Sequence, residues 1–465
     1  MTGDRVAAMA RPAVIRYAGL AGSVLLAVAA YLGGARSPWQ PTMTPRTVLA
    51  GENGLLLPLS WLIGTVLLVG AWWAGRTVVP SARWAYVTAA LWAVPLLPML
   101  PLGSYDVYSY ACQGYLLAAG QDPYAAGAAV LGCPWLEAVS PTWRDAPAPY
   151  GPVFLVLAAA AAQLGGTLAG TVAVLRVIAV LGVVLIAVAV PVLARHCDVP
   201  PARAVWLALA CPLVTIHLIS GAHNDAVMVG LLVAALAVAT RPPTAATLAA
   251  AGVLLGLAVG VKVTAVVVLP FVVLMAVPPR APLRGLLRPA AVVTGSAVAA
   301  LAAVSATTRL GFGWVTNLSD SGASVQWTSP PTAIGLTAGL VGRVFGAQWD
   351  PVPVTRVLGI AALVAVLAVL WWQARAADPL LYAGLALAAT VALAPVFHPW
   401  YATWPLAVLA ATLHRDTRWL VVPCAVAAAL CLPDGYNLAL ATRMQGAVVV
   451  TALVLFVLVR GVRRA

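Results

Sequence analysis

Apolar residues in this chain come in runs of about twenty, separated by short stretches that hold most of the arginines, prolines and polar side chains. A run of that length spans about 30 Å as a helix, the thickness of a bilayer's hydrocarbon. The alternation of period two that a membrane barrel requires is missing. The runs predict spans near 14–33, 54–75, 84–101, 170–194, 204–220, 225–240, 245–260, 263–277, 290–306, 353–372, 380–395, 400–413, 419–433 and 446–460. Two shorter runs, 151–167 and 331–346, are flanked by Gly and Pro and predict half-penetrating segments, because counting them as crossings breaks the alternation of loop charge. The expected fold is an all-α polytopic membrane protein of about 14 transmembrane helices, one domain over 1–465, with a large external loop at 102–150 carrying surface helices. No period of 20–50 residues suggests a repeat array.

Composition agrees: 63% of the 465 residues are hydrophobic and 8% are charged, a third of the share usual in soluble chains. The net charge of +13 would suggest nucleic acid as a partner for a soluble protein. Here the basic residues are scattered between apolar runs, as at Arg280, Arg284 and Arg288, and no basic stretch is interleaved with stacking aromatics, so no nucleic acid is expected. With the amino terminus inside, cytoplasmic loops collect most of the arginines and both termini are cytoplasmic. The opposite face then holds most of the 13 acidic residues, among them Asp106, Asp225, Asp320 and Asp434. The first twenty residues lack a small-residue cleavage site and read as a retained first helix.

One segment, 103–152, is not explained by membrane composition. It reads GSYDVYSYACQGYLLAAGQDPYAAG and continues to TWRDAPAPYGP. Ser104 is a candidate N-cap, after which Tyr105, Tyr108, Cys112 and Tyr115 fall on one helical face and Asp106, Tyr110 and Gln113 on another, the pattern of a helix lying along the membrane surface. A carboxylate in a partly dry cleft can take a hydroxyl proton. Asp106 equally fits a helix-start carboxylate favoured by the helix dipole. At 220–225 the run SGAHND offers His223, Asn224 and Asp225 either as helix caps or as a hydrogen-bonding cluster for a sugar. Lys262, the single lysine, stands in an apolar run, where a cation needs an anionic partner; a lipid phosphate is the favoured one, and snorkelling to the headgroup layer competes.

Two later segments, 316–331 and 396–404, mix rings with hydrogen-bonding groups and add Gln326, His398, Trp400 and Tyr401; Trp327, Trp400, Tyr401 and Trp404 also fit an interfacial aromatic belt. Arg309, Arg343 and Arg356 are further candidates to meet leaving-group charge. The six cysteines show no CxxC or Cys/His ligand spacing, so no metal site is expected. Cys112 and Cys133 share the external loop, either as a disulfide or as two thiols.

An acidic residue at the head of the first large external loop, followed by surface helices and many further spans, resembles the GT-C glycosyltransferases. Within them, SYDVYSYACQG, GQDPY, APAPYGP, GAHND and the lysine of GVKVTAVVVLP are similar to the actinobacterial polyprenyl-phosphomannose-dependent α-1,6-mannosyltransferases of lipomannan synthesis, over about 84–404. The resemblance implies a GT-C-like bundle in the cell membrane with its active site on the external face. Asp106 would be the catalytic base, and the partners a polyprenyl-phosphate mannose donor, a lipid-anchored mannan acceptor and membrane lipids. It further implies inversion to an α-1,6 linkage, with Lys262 and His398 or an arginine at the leaving phosphate, and Tyr105, Tyr108, Gln113, Tyr150, His223, Asn224, Asp225, Gln326, Trp400 and Tyr401 contributing to substrate binding. It requires no cofactor and leaves open a Mg²⁺ held by one carboxylate plus phosphate. The alternatives are a transporter or flippase of polyprenyl-linked sugars, which predicts ionisable residues at the midplane and related halves of the chain, or a GT-C transferase for another sugar such as arabinose.

Overall fold

Each run predicted as a span forms helix in the computed structural model, which describes residues 3–318, 324–414 and 417–462. Asp320 and residues 319–323 of the polar segment 316–331 lie outside the described residues. Among the described residues no strand occurs. Among the described residues, six helices are long and apolar enough to cross a bilayer: Arg11–Gly33, Leu56–Gly75, Leu168–His196, Leu283–Thr308, Val352–Ala374 and Arg443–Arg460. A seventh crossing arises if Pro201–Leu209 and Val214–Ser220, bent by 62°, count as one broken span. The other apolar runs give helices of 10–17 residues, because Pro, Gly and the polar motifs interrupt them. Asp225–Ala239 starts at the HND motif and Ala245–Val261 ends at Lys262.

The outer helices show why the chain needs lipid. Only 6% of the Val352–Ala374 window is buried, and Val357, Leu358 and Val364 point outward. Apolar surface that extensive calls for a hydrocarbon solvent, in which helices satisfy their own backbone groups. Inside, Leu168–His196 packs against Asp225–Ala239 and Pro152–Gly165, and residues 204–230 are buried without interruption. Toward one end of the bundle, Trp206 donates from Nε1 to the Trp72 carbonyl at 3.0 Å and Trp92 to that of Arg16 at 2.9 Å, while Arg16 lies over the Trp84 ring.

The helix Asp106–Ala118 is more enclosed by protein than its two-faced pattern predicts. It is sandwiched between Pro152–Gly165 and Leu168–His196, with Val107–Cys112 buried. Tyrosine makes this burial affordable in hydrogen-bond terms, since the ring is apolar and the hydroxyl finds a partner. Tyr108 donates to the Ala35 carbonyl at 2.7 Å, and the Tyr105 hydroxyl accepts from the Arg36 N–H at 3.2 Å. A disulfide joins Cys112 to Cys133 and ties the helix to the loop beyond it. The N-cap position is Tyr105, not Ser104, whose hydroxyl instead accepts the Asp106 N–H at 3.1 Å.

Candidate active site

Two polypeptide turns bring distant segments to Asp106. Gly103 sits at φ 76°, a left-handed conformation that favours glycine, and its N–H donates to the Pro433 carbonyl at 3.0 Å, clamping the loop before Asp106 onto the 431–435 turn. In APAPYGP, Gly151 lies so close to the backbone of Gly260 that a Cβ would sit 2.4 Å from the Gly260 carbonyl oxygen. Glycine there lets Tyr150 meet the end of the helix that carries Lys262.

Asp106 is the first residue of its helix, and 19% of its side chain is exposed. Burial pushes its carboxyl up to about 6, against the opposing pull of the Lys262 charge and the Ser104 hydroxyl. Its Oδ2 lies 3.8 Å from His223 Nδ1, which also faces the Tyr110 hydroxyl at 3.3 Å. His223 stacks on Trp400 with ring centres 3.8 Å apart, and His398 stacks on Trp400 at 4.8 Å. Trp400 is thus an interior ring, 6% exposed, rather than part of a lipid-facing belt.

Asp225 also opens a helix but is fully buried and engaged. Lys262 Nζ donates to both of its carboxylate oxygens at 2.9 Å, and Trp404 Nε1 donates to Oδ1 at 2.6 Å. Lys262 also lies 4.5 Å from the Tyr401 ring centre and 5.3 Å from that of Trp404. The lone lysine thus has Asp225 as an anionic partner, and both carboxylate oxygens of Asp225 are engaged within the protein. An ammonium carries three donors, so one carboxylate does not exhaust it, and its side chain stays 13% exposed.

Two cavities meet at Asp106. One, of about 160 Å³, is lined by Asp106, Gln113, Tyr150, Lys262, His398, Trp400 and Tyr401 among others. The second, of about 600 Å³, is lined by Asp106, Tyr105, Gln326, His398 and Trp400, and adds Trp39, Asp434 and Asn437. Asp106, Trp143, His398 and Trp400 belong to both walls. Trp143 escaped sequence reasoning because a single Trp in a loop carries no pattern.

Other expected residues lie elsewhere. Tyr108 lines a separate cavity beside Arg176. Asn224 is buried at the N-cap of Asp225–Ala239 and lines neither cavity at Asp106, and its side-chain amide is unpartnered. His223 lines neither cavity but supports Asp106 and Trp400 from behind. Gln326 is at the far wall of the larger cavity, where it accepts from Asn437 at 2.9 Å. Arg309, Arg343 and Arg356 line neither cavity; Arg356 donates to Thr332 and to the Ser324 carbonyl. A further cavity of about 420 Å³, lined by Arg241, Arg375 and Asp378, contains none of these residues.

Fold and cleft together define a helical membrane protein that encloses a carboxylate, a lysine and stacked rings around a polar-ligand site. The family model described as "Alpha-(1->6)-mannopyranosyltransferase, N-terminal domain" matches residues 16–278, and that described as "MptB C-terminal domain" matches 331–461. The chain is 34% identical over 413 residues to Alpha-(1->6)-mannopyranosyltransferase A of Mycobacterium tuberculosis, covering 84% of this chain and 79% of that one. It is 31% identical over 391 residues to Alpha-(1->6)-mannopyranosyltransferase B of Corynebacterium glutamicum, covering 76% and 65%, and 30% identical over 402 residues to that organism's Alpha-(1->6)-mannopyranosyltransferase A, covering 79% and 81%. No solved structure matches. The chain belongs to the alpha-(1->6)-mannopyranosyltransferase family, whose members are membrane glycosyltransferases.

Proposed function

We propose that the chain transfers mannose from polyprenyl-phosphate mannose to a primary hydroxyl of a lipid-anchored mannan, forming an α-1,6 linkage with inversion. The site would face the external side of the cell membrane, in a single domain of about fourteen crossings with both termini cytoplasmic. The observation that carries the reading is that Asp106 and Lys262 line one small cavity between rings. The names of the relatives support the sugar and the linkage. The Cys112–Cys133 disulfide supports the external placement of the loop, since disulfides persist in oxidising compartments.

In this reading the acceptor's primary oxygen attacks the anomeric carbon on the face opposite the phosphate. Asp106 takes the hydroxyl proton as the new C–O bond forms. The bond from the anomeric carbon to the phosphate oxygen breaks, and polyprenyl phosphate leaves with the electron pair. Lys262 and His398 stand on the wall where that charge grows, and fixed donors in a dry site are worth several kcal/mol there. The larger cavity suits the acceptor. Its volume lies within the roughly 300–1,000 Å³ usual for ligand sites, and indole faces such as Trp39 and Trp143 match the C–H face of a pyranose.

The test is the purified protein with polyprenyl-phosphate mannose and a short α-1,6-mannoside. The expected product is the acceptor extended by one α-1,6-linked mannose, and none forms with a nucleotide-linked mannose. Extension from the nucleotide donor, or a different linkage, would overturn the reading. Sidedness has its own check: a cysteine placed at the exposed Val130 should react with a membrane-impermeant maleimide from outside intact cells.

A further inference from the structure

The smaller cavity carries a feature that neither the base nor the lysine accounts for. Three of its lining side chains, Ser109, Gln113 and Thr264, each bury a polar oxygen that has no hydrogen-bond partner. Buried side-chain oxygens are nearly always satisfied, because leaving one unpaired costs the full desolvation of that group. Three such atoms among the side chains that line one cavity are hydrogen-bonding positions a polar ligand can satisfy. Ser109 and Gln113 lie three and seven residues after Asp106 on Asp106–Ala118, so Asp106, Ser109 and Gln113 share one face of that helix. Thr264 follows Lys262 by two residues. Lys262 has extended backbone, φ −151° and ψ 125°, where the Ala245–Val261 helix breaks, and in the 3-10 turn after it the Thr264 hydroxyl meets no carbonyl.

We propose that Ser109, Gln113 and Thr264 read the hydroxyl groups of the donor's pyranose ring and set which sugar is transferred. This rests on the reading above and names the part of the cavity that recognises the sugar. The ligand chemistry follows from the atoms: two hydroxyls and an amide carbonyl oxygen suit a neutral polyhydroxylated ring, not a second phosphate, for which the lysine side of the cavity is available. The donor rather than the acceptor is favoured because these residues share the smaller cavity with Lys262, whereas the larger cavity contains none of them. A void of about 10 Å³ behind Ser109 and Gln113 has room for one water, but Thr264 does not border it.

Sites that hydrogen-bond a substrate hydroxyl reject analogues lacking it, because the partner is then left unpaired. The experiment compares wild type with Ser109→Ala, Gln113→Leu and Thr264→Val, using polyprenyl-phosphate mannose, its singly deoxygenated donors, and singly deoxygenated acceptors. The expected result is that each variant loses tenfold or more of the wild-type preference, in kcat/KM, for mannose over one particular deoxy donor, with preference among acceptors unchanged. A second readout needs no turnover. Thr264→Val removes an unpaired oxygen, so the unliganded protein should melt at a higher temperature while its stabilisation by the mannose donor shrinks; Thr264→Ser should restore that stabilisation. Unchanged donor preference in all three variants overturns the proposal, as does a change confined to acceptor preference or a lower melting temperature for unliganded Thr264→Val. Failure of the wild type to use the mannose donor at all would instead sink the transferase reading, so the two failures are distinct.

Discussion

Asp106 and Asp225 occupy the same local position, the first residue of a helix following a polar loop, yet their surroundings differ completely. Asp225 is sealed, with both oxygens held by Lys262 and one of them also by Trp404. Asp106 borders two cavities, keeps a fifth of its side chain exposed and faces His223 at 3.8 Å. The helix dipole favours both carboxylates equally, so the dipole alone does not assign a role. What separates them is whether the proton-accepting oxygens are already spent. One aspartate is engaged as a counter-ion, and the other keeps its carboxylate on the walls of two cavities.

The sharpest way to break this comparison is to remove Asp225. Asp225→Ala leaves the Lys262 ammonium buried without a counter-ion, which costs about 3–5 kcal/mol. Thermal unfolding in detergent should therefore show a large loss, and Lys262→Met in the same chain should recover much of it. If Asp225→Ala leaves stability intact, the counter-ion assignment fails. The next effect down concerns the loop that carries Asp106. Replacing Cys112 and Cys133 with serine opens a loop of 21 residues and should cost about 3 kcal/mol, visible as a lower melting temperature and faster proteolysis within 119–150.

A smaller, graded effect comes from pH. Asp106 must be ionised to accept a proton, and its carboxyl sits at about 6, so kcat/KM should be level above about pH 7 and fall tenfold per unit well below 6. The stability sign is opposite. The folded value lies above the ordinary 3.8, so the folded protein holds the proton more tightly; this group's contribution is full below about pH 4 and is lost as pH rises through 6. A rate that keeps its plateau down to pH 4 would contradict the assignment. Smallest is the proposed acceptor wall: Trp39→Ala, at a residue that lines the larger cavity and not the smaller one with Lys262, should raise the acceptor KM several-fold and leave the donor KM unchanged.

Much of the architecture was legible because lipid imposes one requirement on every span, and long apolar runs report it directly. The count of crossings was less legible, since Pro, Gly and the HND motif divide runs into helices of 10–17 residues that hydropathy cannot pair into crossings. At the site, the residues that stood out were those whose type is expensive in an apolar chain: Asp106, His223, Asp225, Lys262 and His398. Their partners were not legible. Asp225 and Lys262 are 37 residues apart and meet only through helix packing. Trp400 looked interfacial because tryptophan is common at that depth, and only stacking between two histidines places it inside. Ser109 and Thr264 carry no sequence signal at all, because both residues are ordinary in helices and become notable only when left unpaired.

The central claim is that Asp106, not its sealed counterpart, takes the acceptor's proton. The direct measurement is the rate of acceptor elongation by Asp106→Asn under saturating polyprenyl-phosphate mannose, beside a melting curve of the same protein. Asparagine keeps the size and loses both the base and the buried charge, so the predicted result is a rate lower by roughly 10²–10⁴-fold with a melting temperature no lower than that of the wild type. Elongation at the wild-type rate by a folded Asp106→Asn protein would contradict the account.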